Sequence, residues 1–490
     1  MHLNNLDLTL RRLRELLDAG EVSSSELAEE CIARTFAAAN LNAFASFLPD
    51  VLRAEAARAD DRLRKGERLP LLGIPIGLKD NIDVVGYPCA AGTRSLSTSY
   101  PSQDAPVVQR LRAAGAVIAG KLNMHELAFG VSNNNSVTGP TRNPWDHLRI
   151  PGGSSGGSGV AVAAGLVPTS IGTDTGGSVR VPAALCGVTG FRPTVGRIPG
   201  DGIVPISSTR DTVGPLAHAV QDCVLIDQIM SGDFATPPQV HLKGLRLGVP
   251  RFALWQDLAS GVADILEATL EGLARAGAIL VEINIAGLLE LAAQASAPVT
   301  RYEFARDMRR YLATAGRRVT FEDVIASTLS PDVRDIVGTF AESHLQISES
   351  DYHKALADRA ELRALYQVAF QRHGVEALVF PTTVRTASSI GEDRTMMLNG
   401  RAVPTFPTFI RQTEPGSIAG LPGISLPAGL DSGLPVGLAL DGLPGSDKKL
   451  LAAAASIQSV LPAPARLRGS LPSKQNTVKC EMPPPKWPRQ

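Results

Sequence analysis

Two glycine-rich turns, close together, restrict what this chain can fold into more than any other stretch of it. Residues 151–180 read PGGSSGGSGVAVAAGLVPTSIGTDTGGSVR. One turn covers 152–159 and the other 172–178, and each carries a serine beside a glycine pair. Residues 160–171 between them are mostly small and carry no charge. Glycine permits backbone angles and close approaches that other residues do not. Glycines clustered around a hydroxyl therefore mark a place where main-chain N–H groups point at something. Ser154 and Ser178 are the candidate hydroxyls.

The flanking chain alternates helix and strand patterns. Helical apolar spacing predicts a helix over 6–17, with Gly20 closing it. Ser23 and Glu26 fit a capping box for a second helix to about Ala38. Residues 51–65 read as a charged, alanine-rich helix, and the run 70–79 (PLLGIPIGLK) as a strand. A helix over 105–114 leads through Gly115 into a strand at 116–119. Residues 123–143 are polar and irregular, and 206–215 read as a loop. Strand, helix and strand follow at 245–249, 265–274 and 279–283, then a largely helical stretch over 288–370. A buried strand at 377–380 precedes a long loop to about Gly420, two strands at 424–427 and 436–440, and a helix at 449–460. The alternation predicts an α/β fold.

Composition excludes several classes of function. The 490 residues carry 48 basic and 48 acidic side chains, so no whole-chain field would draw in nucleic acid or an anionic membrane. The five cysteines are scattered and form no C-x-x-C pair, which argues against a disulfide framework or a structural zinc and for a reducing compartment. There is no signal-peptide pattern at the N-terminus and no apolar run of about 18 residues. The expected location is the cytoplasm. From 462 to 490 the chain turns proline-rich and basic, and that tail is expected to be disordered.

Single motifs are weak here. G-x-S-x-G fits Ser154, and shifted by one residue fits Ser155 equally well. None of the later histidines (His218, His353, His373) has the context of a nucleophile's base. Gly159 is followed by Val160, not by the G-K-[ST] of a phosphate loop. His125-Glu126 begins like a zinc helix, but Phe129 stands where the second histidine should be, so no metal is expected. Ser446 and Lys449 have S-x-x-K spacing in an exposed-looking turn. Lys79 is more informative. It ends an apolar run, and burial would favour its neutral, basic form. Asp80 could pair with it, unless strand geometry turns the two side chains to opposite faces.

Taken together, GLKDN at Lys79, PGGSSGGS at Ser154 and GTDTGGSVRVPAALCG at Ser178 resemble the amidase signature family in order and spacing. The resemblance runs from about Leu27 to about Val460. It implies a mixed central β-sheet covered by helices on both faces, in a single domain over 1–461 with its catalytic core at about 70–220. It also implies Ser178 as nucleophile, Ser154 as a bridging serine in a cis peptide, and Lys79 as base. The main-chain N–H groups of Thr175, Gly176, Gly177 and Ser178 would form the oxyanion hole. Asp174 and Arg180 flank that turn and are expected to pair, and Ser155 supports it. Cleavage through a serine acyl-enzyme needs no cofactor. The partner would be a small-molecule amide; a monomer and a homodimer are both open. MHELAFGVSNNN and SSTRDTVGP look closest to the indoleacetamide and mandelamide hydrolases. The family also holds the A subunit of glutamyl-tRNA amidotransferase, which releases ammonia from glutamine for a partner, and this remains the alternative. The segment near Tyr302 and Phe304, or the segment 401–412, is the candidate lining of an acyl pocket, and the aromatics there fit a core equally well.

Overall fold

The apolar run before Lys79 becomes a strand buried along its whole length, and other apolar runs line up on either side of it. The computed structural model describes residues 5–314, 317–341 and 347–462. Apart from Pro462, the tail lies outside the described residues. Eleven strands form the main sheet: β1 (Phe44–Ser46), β2 (Pro75–Lys79), β3 (Val117–Leu122), β4 (Thr169–Asp174), β5 (Thr189–Arg192), β6 (Thr212–Ala217), β7 (Arg246–Val249), β8 (Ile279–Glu282), β9 (Ala377–Pro381), β10 (Gly423–Asp431) and β11 (Leu434–Asp441). Their order is β1-β3-β2-β4-β6-β5-β10-β11-β9-β7-β8. β3, β2 and β4 run parallel, β7 pairs in parallel with β8 and β9, and the remaining pairings are antiparallel. The sheet is mixed and flanked by helices, as expected.

Local rules explain the elements. Thr9 caps the helix Leu10–Ala19, whose Leu10, Leu13 and Leu17 face the core, and Gly20 closes it at φ 69°. Ser23 and Glu26 form the expected capping box. β2, β3 and β4 are buried at every position, so their apolar and small residues do not alternate with exposed polar ones, and the charged Lys79, Lys121 and Asp174 stand only near their carboxyl ends.

Three expectations change. The run 70–79 is strand only from Pro75, because residues 70–73 form a turn with Gly73 at φ +84°. The loop at 206–215 ends early: Thr212–Ala217 is β6, inserted antiparallel between β4 and β5. Its Gly-Pro pair disguised it as a turn. The long loop after Thr382 contains a hairpin (Thr395–Leu398 with Arg401–Pro404) and the short helices Thr405–Ile410 and Glu414–Ala419.

This topology puts the carboxyl ends of β2 and β4 side by side, where open α/β sheets bind ligands. The first glycine turn opens the helix Gly156–Ala163, which presses against neighbouring backbone. A Cβ at Gly157 would lie 2.4 Å from the Asn123 carbonyl oxygen and 2.5 Å from that of Ala43. Gly157→Val should therefore destabilise the fold by about 1–3 kcal/mol or more, seen as a lower urea midpoint at unchanged m. A midpoint equal to the parent's would show that this helix can move outward freely.

Candidate active site

Lys79 is the last residue of β2 and is wholly buried. Its Nζ lies 2.8 Å from Ser154 Oγ, 2.8 Å from Thr173 Oγ1 and 3.5 Å from the Thr173 carbonyl oxygen. Burial pushes the ammonium's pKa down to about 7, against the opposing pull of Asp174 and Asp211. Asp80 does not pair with it. Its carboxylate accepts from Gly92 N–H at 3.1 Å and sits 3.6 Å from Lys121 Nζ, on the strand next to β2. Successive residues along a strand face opposite ways, and so Lys79 has no contacting carboxylate among the described residues.

Ser154 is buried and joined to Gly153 by a cis peptide bond. Its carbonyl accepts from His125 N–H at 3.1 Å. Ser155 does structural work: its Oγ bonds both the Thr173 carbonyl (3.2 Å) and the Thr173 N–H (3.3 Å), and its N–H donates to the Ser178 carbonyl at 3.2 Å. The two glycine turns are thereby bonded to each other. Ser178 is half-buried and lines a cavity of about 340 Å³.

The turn before Ser178 is wound around the carboxylate of Asp174. That carboxylate accepts from the N–H groups of Gly177 (2.8 Å), Val179 (3.1 Å) and Arg180 (3.4 Å). Arg180 and Arg192, both buried, bond it through their guanidiniums at 3.1 Å. Burial alone would raise its pKa, but the two guanidiniums prevail and hold it well below the usual carboxylate range. The expected pairing of Asp174 with Arg180 is present, with Arg192 as a second cation. The Gly177 N–H, expected in the oxyanion hole, donates to Asp174 instead, which leaves those of Thr175, Gly176 and Ser178. Gly177 sits at φ +139°, and a Cβ there would lie 2.3 Å from Thr413 Oγ1, so glycine is needed on both counts. Thr413 Oγ1 also donates to the Gly176 carbonyl at 2.7 Å, and Thr175 Oγ1 to Asp211 at 2.6 Å.

The cavity walls are largely apolar, with Phe129, Ile206, Ile336, Phe340, Phe406 and Ile410 among them. Phe406 and Ile410 come from the segment singled out in the sequence. Tyr302 and Phe304 do not line the cavity: Tyr302 stacks on Tyr352 (centroids 4.1 Å apart), and Phe304 is buried among Phe129, Phe321 and Phe340. His125 is buried, bonding Asn133 N–H at 3.0 Å and Asp332 at 3.0 Å. Sequence reasoning missed Thr173, Asn81 (whose Nδ2 donates to Thr173 Oγ1 at 3.1 Å), Arg192, Asp211 and Thr413. Asn81 and Thr173 lie inside the quoted motifs. Arg192 and Thr413 come from distant segments and carry no local signal.

A fold with this sheet, and two serine turns meeting a buried lysine, defines an amidase-type hydrolase. The family model described as "Amidase" matches residues 26–451, and the chain belongs to the amidase signature family. It is 43% identical over 461 residues to the indoleacetamide hydrolase of Agrobacterium vitis, covering 94% of this chain and 97% of that one. To the mandelamide hydrolase of Pseudomonas putida it is 41% identical, covering 94% and 93%. A crystal structure of an amidase superposes with a TM-score of 0.84 at 35% identity, over 93% of this chain and all of the other.

Removing the Asp174 charge would strand two buried guanidiniums. Asp174→Asn should cost about 3–5 kcal/mol of stability in chemical denaturation. A loss under about 1 kcal/mol would mean that Asp441, 3.5 Å from the Arg180 guanidinium, and the surrounding carbonyls suffice for both arginines.

Proposed function

We propose that this protein hydrolyses the C–N bond of a small neutral carboxamide with an aryl-acetic acyl group, indole-3-acetamide or mandelamide being the leading candidates, to the acid and ammonia. One observation carries the reading: a wholly buried amine, its pKa pushed down to about 7 by burial, stands 2.8 Å from the hydroxyl of Ser154, and the next residue, Ser155, bonds the backbone of Ser178 in the cavity wall. The apolar walls and the two named relatives support the acyl group.

In this mechanism Ser178 Oγ attacks the amide carbon, and its proton passes to Ser154 as the Ser154 proton passes to neutral Lys79. The Lys79 N–H directed at Thr173 Oγ1 orients the amine lone pair toward Ser154. The N–H groups of Gly176, Ser178 and Thr175 stabilise the oxyanion. Ser154 returns a proton to the leaving nitrogen, ammonia departs, and water repeats the sequence on the ester of Ser178.

The base works only when neutral. Its neutral fraction grows as pH rises through about 7, so kcat/KM should fall on the acid side of that value. Lys79→Ala should remove this limb and lower the rate roughly 10²–10⁴-fold. Ser178→Ala should be at least as damaging, and the double variant little worse than either single one. Ammonia release by the purified chain from a panel of amides tests the substrate. Turnover of arylacetamides is the expected result. Inactivity on them, with ammonia released from glutamine only beside a partner complex, would favour the amidotransferase reading instead.

A further inference from the structure

One corner of the cavity is not apolar. Arg210, Glu414, Ser296 and Thr300 meet there, and all four line the cavity. Arg210 is only 3% exposed. Its Nη1 donates to Thr300 Oγ1 at 2.8 Å, to Ser296 Oγ at 3.2 Å and toward the Ser296 carbonyl at 3.5 Å. Its Nη2 donates to Glu414 Oε1 at 3.2 Å, and Ser296 Oγ donates to the same oxygen at 2.5 Å. The buried Nε has no hydrogen-bond partner among the described residues. A guanidinium has five N–H donors, so Nε–H and one Nη2–H remain after these bonds. The position matters as much as the count. A Cβ added at Gly176 would lie 3.7 Å from Arg210 Nη2. The guanidinium therefore overhangs the turn that leads to Ser178.

We propose that Arg210, held in place by Glu414, is the specificity-determining residue for the substituent on the carbon next to the carboxamide, and that it favours a hydroxyl there over a hydrogen. This rests on the arylacetamide reading of the site. With the amide carbon at Ser178 and its oxygen toward the Gly176 turn, the adjoining carbon sits under the guanidinium. A hydroxyl on that carbon accepts from Arg210 and donates to the Glu414 carboxylate, so the pair satisfies both halves of the group. A plain methylene puts apolar carbon against leftover donors and shuts water away from them, which is unfavourable. A site built to bond a hydroxyl discriminates strongly against an analogue that lacks one. The pair also leaves this corner without net charge, which suits a neutral acyl group.

The test compares kcat/KM for 2-hydroxy-2-phenylacetamide and 2-phenylacetamide, first with the unaltered chain. The hydroxylated amide should be preferred by about tenfold or more, a lower bound set by one hydrogen bond. Arg210→Met should bring that ratio close to one, whatever happens to the two rates together, and Glu414→Gln should lower it in part. A residue serving only as a strut between the turn and its neighbours would depress both substrates by one factor and leave the ratio intact. An unaltered ratio in both variants, or equal turnover of the two amides by the unaltered chain, overturns the inference and leaves the amidase reading standing. If neither arylacetamide is turned over, the arylacetamide reading falls and the inference falls with it. The first comparison needs no variant, so a poorly folding Arg210→Met does not remove the test.

Discussion

The carboxylate of Asp174 holds together parts of the chain that are far apart in sequence. It ends β4, caps the turn that follows and anchors Arg180 and Arg192. Arg180 reaches on to Ser417 (2.6 Å), the Thr413 carbonyl (3.1 Å) and Asp441 (3.5 Å). Arg192 bonds the carbonyls of Arg210, Ser417 and Leu421. Buried ion pairs contribute little net stability, because desolvation offsets attraction, yet losing one member is costly. The value of this cluster lies in geometry. The bonds to the N–H groups of Gly177, Val179 and Arg180 fix the backbone around Ser178, and those of the two arginines tie that turn to the segments around Arg210, Thr413 and Ser417.

Lys79 depends on the opposite arrangement. The sheet carries it to the end of a fully buried strand and turns Asp80 to the other side, toward Lys121. Asp174 and Asp211 act on it only through space, and desolvation outweighs both. Two charged clusters thus lie close together with opposite results. Asp174 stays ionised because two cations touch it, while no carboxylate among the described residues touches Lys79, and burial lowers its pKa. The hydroxyls of Ser154 and Thr173 satisfy the amine's hydrogen bonding without restoring its charge.

Much of this was legible in the sequence, for identifiable reasons. Strong local patterns, such as the Ser23–Glu26 box and the apolar run ending at Leu440, became the elements they indicated, and the run ending at Lys79 did so over its second half. The three motifs named residues that the fold brings together, since Lys79, Ser154 and the turn to Ser178 are each set by short-range chain geometry. What escaped was either disguised or distant. β6 was hidden by its Gly-Pro pair, and the hairpin after Thr395 by a stretch of mixed polarity. Asp211 lay inside the quoted SSTRDTVGP without being singled out, and Arg192 and Thr413 act on the site across the fold, through contacts no local spacing encodes. The donation of Gly177 N–H to Asp174 follows from how the turn winds, not from which residues it contains. Around Tyr302 and Phe304 the two readings open in the sequence divide between neighbours: Ser296, Thr300 and Arg301 line the cavity, while the two aromatics serve packing.

Burial, with no contacting carboxylate among the described residues, lowers the Lys79 pKa to about 7, so that a large neutral fraction exists at neutral pH. A direct measurement is the pH titration of its side-chain carbon beside the amine by NMR, in protein labelled at lysine and assigned by comparison with a Lys79→Met variant. The predicted result is a midpoint near 7, about three units below an ordinary lysine at ~10.4. A midpoint near ~10.4 would contradict the account, because the amine beside Ser154 would then be charged throughout the working range and unable to take its proton.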